Sequence, residues 1–327
     1  MPDRVQVLSV DGGGIRGIIP AVVLAELERL TGRPTSSLFQ LMAGTSTGGL
    51  LVLALAKPGP GGDPEFPAAE LVSLYETEGH RIFSRSLWHR ITALDNLIEE
   101  KYPSTGLEDV LRRYFGDARL SQALSDVLVT AYELERRRPF FFRSSRARTL
   151  PDYDFPMRVA AQATAAAPTY FEPVKVPAGG TGREYFALID GGVYASNPAM
   201  CAYVEALTSW PTAQEILVVS VGTGDSTRPI HYDEARGWGL AEWAKPLLGV
   251  VFDGVSDTVD YQLAQLGHRA ADGRPRYWRF QTVLPEDHAA IDDASPENVR
   301  SLRRLAEDLV AEHRAELEEL AARLLAP

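Results

Sequence analysis

Residues 4–49 read RVQVLSVDGGGIRGIIPAVVLAELERLTGRPTSSLFQLMAGTSTGG, and this stretch decides the fold. Arg4–Val10 is short, β-branched and apolar, as a buried strand is. Asp11–Gly17 interrupts it with glycines. From Ile18 to Leu30, Ile19, Val23, Leu27 and Leu30 recur at helical spacing, and Gly32 ends the run. A second unit follows. Leu38–Ala43 predicts a strand, Gly44–Gly49 a sharp turn and Leu50–Lys57 an apolar helix. Two successive strand–loop–helix units imply an α/β architecture, with a parallel sheet covered by helices.

Working outward, Pro58–Pro67 (PGPGGDPEFP) is a surface loop. The pattern from Ala68 to Gly116 is mainly helical and carries Tyr75, Phe83, Trp88 and Tyr102. These aromatic residues fit a lid, an acyl-chain pocket or plain core packing. Val127–Leu134 resumes a strand. Arg136–Arg148 holds six arginines, no acids and Phe140-Phe141-Phe142. It reads either as a hairpin with solvated arginines over a phenylalanine core, or as an anion-binding patch. Met157–Ala167 is an alanine-rich helix, Tyr185–Ile189 a strand entering Asp190-Gly191-Gly192, and Asn197–Leu207 a helix. Glu215–Val221 is a strand ending at Gly222-Thr223-Gly224. Pro296–Leu325 is a charged helix with leucines along one side. No repeat or linker interrupts the chain, so its 327 residues are expected to form one domain. Its core motifs lie in 4–224, with a helical cover over about 236–327.

Composition narrows the function. The balance of 33 Lys+Arg against 44 Asp+Glu gives −11, which argues against a nucleic-acid polymer as partner. The single cysteine, Cys201, excludes an intramolecular disulfide and a cysteine-cluster metal site. No run reaches the roughly 18 apolar residues of a membrane span, and no secretory signal pattern opens the sequence. The expectation is a cytoplasmic protein that meets lipid peripherally.

Gly44-Thr45-Ser46-Thr47-Gly48 matches the G-x-S-x-G nucleophile elbow in its strand–turn–helix context. The turn is tight, so the residues two before and two after the serine must be small. The following helix places its positive end where an oxyanion would form. A serine needs a base. None of the six histidines (80, 89, 231, 268, 288 and 313) follows a strong strand in a glycine turn. Asp190 does, and Asp11 holds a similar position after the first strand. The backbone N–H groups of Gly12, Gly13 and Gly14 can converge on an anion. Asp11 is therefore assigned to shaping that loop, and Asp190 is left free to take the proton of Ser46. The same glycines also admit a nucleotide-phosphate cradle, although no Walker lysine follows.

DGGGIRG at 11–17, GTSTGG at 44–49 and DGG at 190–192 together resemble the patatin-like phospholipases, in order and in context. The resemblance spans roughly residues 4–224. It implies a three-layer α/β/α sandwich with a mainly parallel central sheet, and a serine acyl hydrolase needing no cofactor or metal. Ser46 carries over as nucleophile and Asp190 as general base. Gly12–Gly14 carry over as the oxyanion loop, supported by Asp11, Arg16 and Gly17. Gly44 and Gly48 flank the elbow, and Gly191 and Gly192 complete the Asp-Gly-Gly motif. The implied partner is a phospholipid membrane surface. Some bacterial members act in antiphage defence on a cyclic nucleotide signal, so such an activator and a homo-oligomer join the expectations. The rival readings are a nucleotide-binding regulatory protein and a hydrolase of soluble esters or thioesters.

Overall fold

A computed structural model describes residues 2–83, 105–168, 170–180, 182, 184–226, 229–243, 246–266, 273–285, 288 and 290–326. Its strands are β1 (Arg4–Val10), β2 (Leu41–Gly44), β3 (Asp126–Glu133), β4 (Arg138–Arg143), β5 (Val174–Pro177), β6 (Tyr185–Asp190), β7 (Glu215–Val221), β8 (Asp225–Ser226), β9 (Tyr277–Phe280) and β10 (Val283–Leu284). The helices up to the sheet's midpoint are α1 (Ile18–Thr31), α2 (Thr35–Leu38), α3 (Thr47–Ala56), α4 (Ala68–Phe83), α5 (Thr105–Phe115), α6 (Ser144–Thr149) and α7 (Met157–Thr164). Then come α8 (Gly192–Ala195), α9 (Ala199–Ser209), α10 (Tyr232–Ala235), α11 (Leu240–Trp243), α12 (Pro246–Leu266), α13 (Pro296–Glu312) and α14 (Arg314–Leu325).

The main sheet runs β5-β6-β3-β2-β1-β7-β9, with β4 also paired to β3. Both faces are covered, which is why β1 and β7 read as continuous apolar runs. Leu8 and Val10 of β1, with Leu217 and Val219 of β7, pack into the larger core beneath α1, α3, α4, α5 and α7. The alternate residues Val5, Val7, Ile216 and Val218 face Ala199, Ala202 and Ala206 of α9 and Leu263 of α12. This alternation, one side chain to each face, makes three layers.

The sheet's centre is parallel: β1 pairs in parallel with β2 and β7, β2 with β3, and β7 with β9. Its other end is antiparallel, in the pairings β3–β4, β3–β6 and β5–β6. The sequence-based expectation placed Asp190 at the carboxyl end of a strand in a parallel sheet. Instead β6 runs against β3, with Asp190 opposite Ala131. A different geometry brings it to the same place. β4 occupies one side of β3 from Leu128 to Glu133. Hence β2, which pairs with 126–129, and β6, which pairs with 131–133, share the other side. They approach head to head along β3. Gly44 sits opposite Val129 and Asp190 opposite Ala131, roughly 7 Å apart at the rise of a strand.

Other boundaries depart from the sequence reading. Leu38 closes the short helix α2, and the strand begins only at Leu41. The terminal helix breaks at His313 into α13 and α14. The segment expected as a helical cover also adds a strand, β9, to the main sheet. Trp88, Tyr102, His89 and His268, named from the sequence, lie outside the described residues.

The arginine-rich segment folds as the β3–β4 hairpin followed by α6. Phe140 and Phe142 are buried, and with Phe155 and Phe186 they form an edge-on aromatic cluster. Arg143 pairs with Glu205 at 3.0 Å, Arg148 pairs with Asp126, and Arg146 stacks on Tyr153. Three of the six guanidinium groups thus have partners within the fold, and Arg136, Arg137 and Arg138 are exposed at and beside the turn.

Candidate active site

Ser46 ends the β2–α3 turn with φ 53° and ψ −124°, a left-handed backbone that costs a non-glycine residue about 1–3 kcal/mol. Its N–H donates to Thr164 Oγ1 at 2.9 Å, which fixes the strained peptide. Thr45, the residue before it, bonds Thr130 Oγ1 at 2.7 Å and the Ala195 carbonyl at 2.6 Å, locking the turn onto β3. The elbow glycines are small for the reason the motif demands. A methyl on Gly44 would lie 2.3 Å from the Gly48 carbonyl oxygen, and one on Gly48 would lie 2.2 Å from the Val10 carbonyl oxygen. Both neighbours are backbone and cannot rotate away. We therefore expect Gly48→Ala to lower the melting temperature sharply, since overpacking typically costs 1–3 kcal/mol and occasionally more. A melt within a degree or two of the wild type would contradict this.

Asp190 is buried, its carboxyl accepts the Gly192 N–H at 2.7 Å, and it shares the cleft with Ser46. Burial pushes its pKa up to about 7, against the opposing influence of the Gly192 N–H and the Ser46 hydroxyl. A methyl on Gly191 would strike Thr130 Oγ1 at 2.1 Å, so the chain must be bare where it turns away from β3.

The glycine loop lies across the end of β2. Its Gly12 carbonyl accepts from Thr223 Oγ1 at 2.6 Å, and its Gly13 carbonyl accepts from the Arg16 N–H at 3.2 Å and Arg16 Nε at 3.3 Å. Arg16 Nη1 also reaches the Gly224 carbonyl, so the half-buried guanidinium braces the loop. Gly14 adopts φ 59°, and a methyl there would lie 2.2 Å from the Ile291 carbonyl oxygen. One expectation needs correcting. The Gly12 N–H, counted among the oxyanion donors, is committed to the Ser196 carbonyl at 2.9 Å. The N–H groups of Gly13 and Gly14 have no protein partner among the described residues. Gly17 packs against the hydrogen-bonded pair of Thr47 and the buried Tyr75.

Ser46, Asp190, the Gly12–Gly14 loop and Arg16 line one open cleft. One part of its lining is apolar, with Ala165, Ala167, Phe171, Phe252 and Ile291. Another part carries Asp225 and Asp253, both held above the usual carboxylate range by burial first. The described histidines lie elsewhere. His80 and His231 are exposed, His288 bonds Asn298, and His313 bonds Glu316. Among the described residues, no group of three or more His, Cys, Asp or Glu could hold a metal ion.

The sequence reading missed Thr164, Ser196, Thr223 and, above all, Arg279. Arg279 Nη2 lies 2.6 Å from Asp11 Oδ2, and Nη1 donates to Ser220 Oγ at 2.8 Å. Although burial opposes its charge, Asp11 holds the Arg279 guanidinium firmly protonated. Thr223 and Arg279 both sit at strand ends bordering the cleft, so extending the strand-end rule to β7 and β9 would have found them.

A strained elbow serine, a buried carboxyl and a glycine loop at one edge of a three-layer sheet define an α/β acyl hydrolase. The family model described as patatin-like phospholipase matches residues 8–203, and the chain belongs to that family. It is 31% identical to "Patatin-like protein 4" of Arabidopsis thaliana, over 94% of this chain and 83% of that protein. It is also 31% identical to "Probable inactive patatin-3-Kuras 1" of Solanum tuberosum, over 94% of this chain and 87% of that one. Among solved structures, VipD from Legionella pneumophila matches with a TM-score of 0.47 and 11% identity, over 95% of this chain and 67% of that one. Among the described residues, no helix is long and apolar enough to cross a membrane.

Proposed function

We propose that the protein hydrolyses acyl ester bonds of phospholipids through a Ser46–Asp190 dyad. One relative is named as inactive, so the reading rests on this chain's own residues. The observation that carries it is that the strained Ser46 and the buried Asp190 carboxyl line one cleft where β2 and β6 meet along β3, and the carboxyl's pKa, about 7, suits a base at neutral pH. Asp190 takes the proton as Ser46 Oγ attacks the ester carbonyl. The N–H groups of Gly13 and Gly14, with the N-terminus of α3, stabilise the oxyanion. Asp190 then returns the proton to the departing alcohol. Water, deprotonated by the same carboxylate, attacks the acyl-enzyme carbonyl, and Asp190 hands that proton to Ser46 Oγ as the fatty acid leaves. The amphipathic cleft supports an acyl chain along the apolar wall and a polar head towards Asp225 and Asp253.

A fluorophosphonate probe tests the reaction class, and covalent labelling confined to Ser46 is expected. Phosphatidylcholine vesicles compared with short-chain nitrophenyl esters test the substrate, with and without a panel of cyclic nucleotides. Peripheral action at a membrane predicts faster turnover on vesicles than on dispersed esters. Labelling without vesicle turnover would favour a soluble ester or thioester. Absence of labelling, with tight nucleotide binding, would favour the regulatory reading of the glycine loop.

A further inference from the structure

Arg279 lies outside the matched family segment 8–203, yet it reaches the centre of the site. In the sheet, Ser9 of β1, Ser220 of β7 and Arg279 of β9 stand side by side. The side chain passes Ser220, bonding it, and ends on Asp11, the residue that opens the glycine loop. Two inter-strand spacings are roughly 9.6 Å, a distance suited to a long side chain with a forked end. Nη2 also lies 3.4 Å from Ser256 Oγ on α12, whose Phe252 and Asp253 line the cleft. One guanidinium thus ties together β1, β7, β9 and α12 just behind Gly12.

The Asp11 N–H donates to the Val221 carbonyl at 3.1 Å, but Arg279 is the strongest hold on its side chain, and the loop's remaining anchors lie beyond it: Gly12 to Ser196 and Thr223, Gly13 to Arg16, and the Ile15 N–H to the Ile291 carbonyl. Without Arg279, the Asp11 carboxylate would be buried with only a 3.5 Å contact from Ser256. An uncompensated buried charge rearranges or takes up a proton. Either response removes the side-chain hold on the residue immediately before the glycines.

We infer that Arg279 is a positioning residue for the hydrolytic reaction, its ion pair with Asp11 setting the glycine loop so that the Gly13 and Gly14 N–H groups face the oxyanion formed at Ser46. The inference rests on the hydrolase reading above. Displacing oriented groups by about 1 Å can cost on the order of 10²-fold in rate. Arg279→Met should therefore lower kcat for a short-chain nitrophenyl ester by roughly that factor, with little change in KM. Arg279→Lys keeps the charge but cannot hold Asp11 and Ser220 together, and should recover part of the loss.

A purely structural ion pair would give a different pattern, and the Asp11→Asn/Arg279→Met double variant separates the two. Removing both charges leaves neither one stranded, so its melting temperature should recover relative to Arg279→Met. Its kcat should stay low, because the loop still lacks its tether. The double variant also serves if Arg279→Met alone fails to fold. Recovery of kcat together with the melting temperature, or an Arg279→Met kcat within about threefold of the wild type, would overturn the inference. A wild-type protein that neither hydrolyses the ester nor labels with fluorophosphonate would instead overturn the hydrolase reading itself.

Discussion

Ser46→Ala is expected to abolish both fluorophosphonate labelling and ester hydrolysis while the protein stays folded. In other serine hydrolases, loss of the nucleophile costs on the order of 10⁶-fold in kcat. The stability effect should be small, because alanine inherits the same φ of 53° and the same strain as serine. Ser46→Gly separates the two properties. Glycine tolerates that backbone, so it should be equally inactive yet more stable, by about 1–3 kcal/mol. Both variants also remove the hydroxyl whose influence favours ionised Asp190, so the carboxyl should hold its proton more tightly than in the wild type. Appreciable turnover in Ser46→Ala would remove the nucleophile from this scheme.

The second large effect concerns Asp190 and is readable against pH. A base must be ionised to act, so kcat/KM should rise through about pH 7 and level off above it. Stability should move the other way. Below about pH 4 the carboxyl is neutral in both the folded and the unfolded chain. Between pH 4 and 7 the folded protein keeps a proton that the unfolded chain has lost, so this group's contribution to stability declines as pH rises. Above pH 7 the fold carries the full cost of a buried anion. The gap between 3.8 and about 7 corresponds to about 4 kcal/mol. Asp190→Asn preserves an acceptor for the Gly192 N–H and removes the charge. It should be inactive at every pH, match the wild type in stability near pH 4, and exceed it increasingly up to pH 8. An acid limb set by a histidine, or an active Asp190→Asn variant, would shift the basic role elsewhere.

Both effects trace to features of unequal legibility. The elbow could be read from five consecutive residues because most of its cause is local: the strained Ser46, the crowding of Gly44 against Gly48 and the helix start all lie between Gly44 and Gly48, and only the crowding of Gly48 against Val10 comes from another strand. The glycine loop was legible as a loop. Which of its N–H groups stay open depends on Ser196, about 180 residues away in sequence, which takes the Gly12 N–H. The arginine-rich segment shows the reverse. Its composition admitted both a hairpin with solvated arginines and an anion-binding patch, and only folding reveals the hairpin and the pairing of three arginines with Glu205, Asp126 and Tyr153. A relative named as inactive shows why residue-level geometry matters beyond family membership.

The opening strand–glycine–helix and strand–elbow–helix units were determined by the sequence alone. Periodicity and steric demand act over a few residues, and glycine admits few substitutes in a crowded turn. The tertiary structure decided the rest. It set β6 against β3, so that Asp190 meets the end of β2 head-on rather than beside it. It also brought Arg279, some 270 residues downstream, onto Asp11. Such pairings depend on strand order and register, which arise from burying both faces of a sheet at once. No local pattern in the chain encodes them.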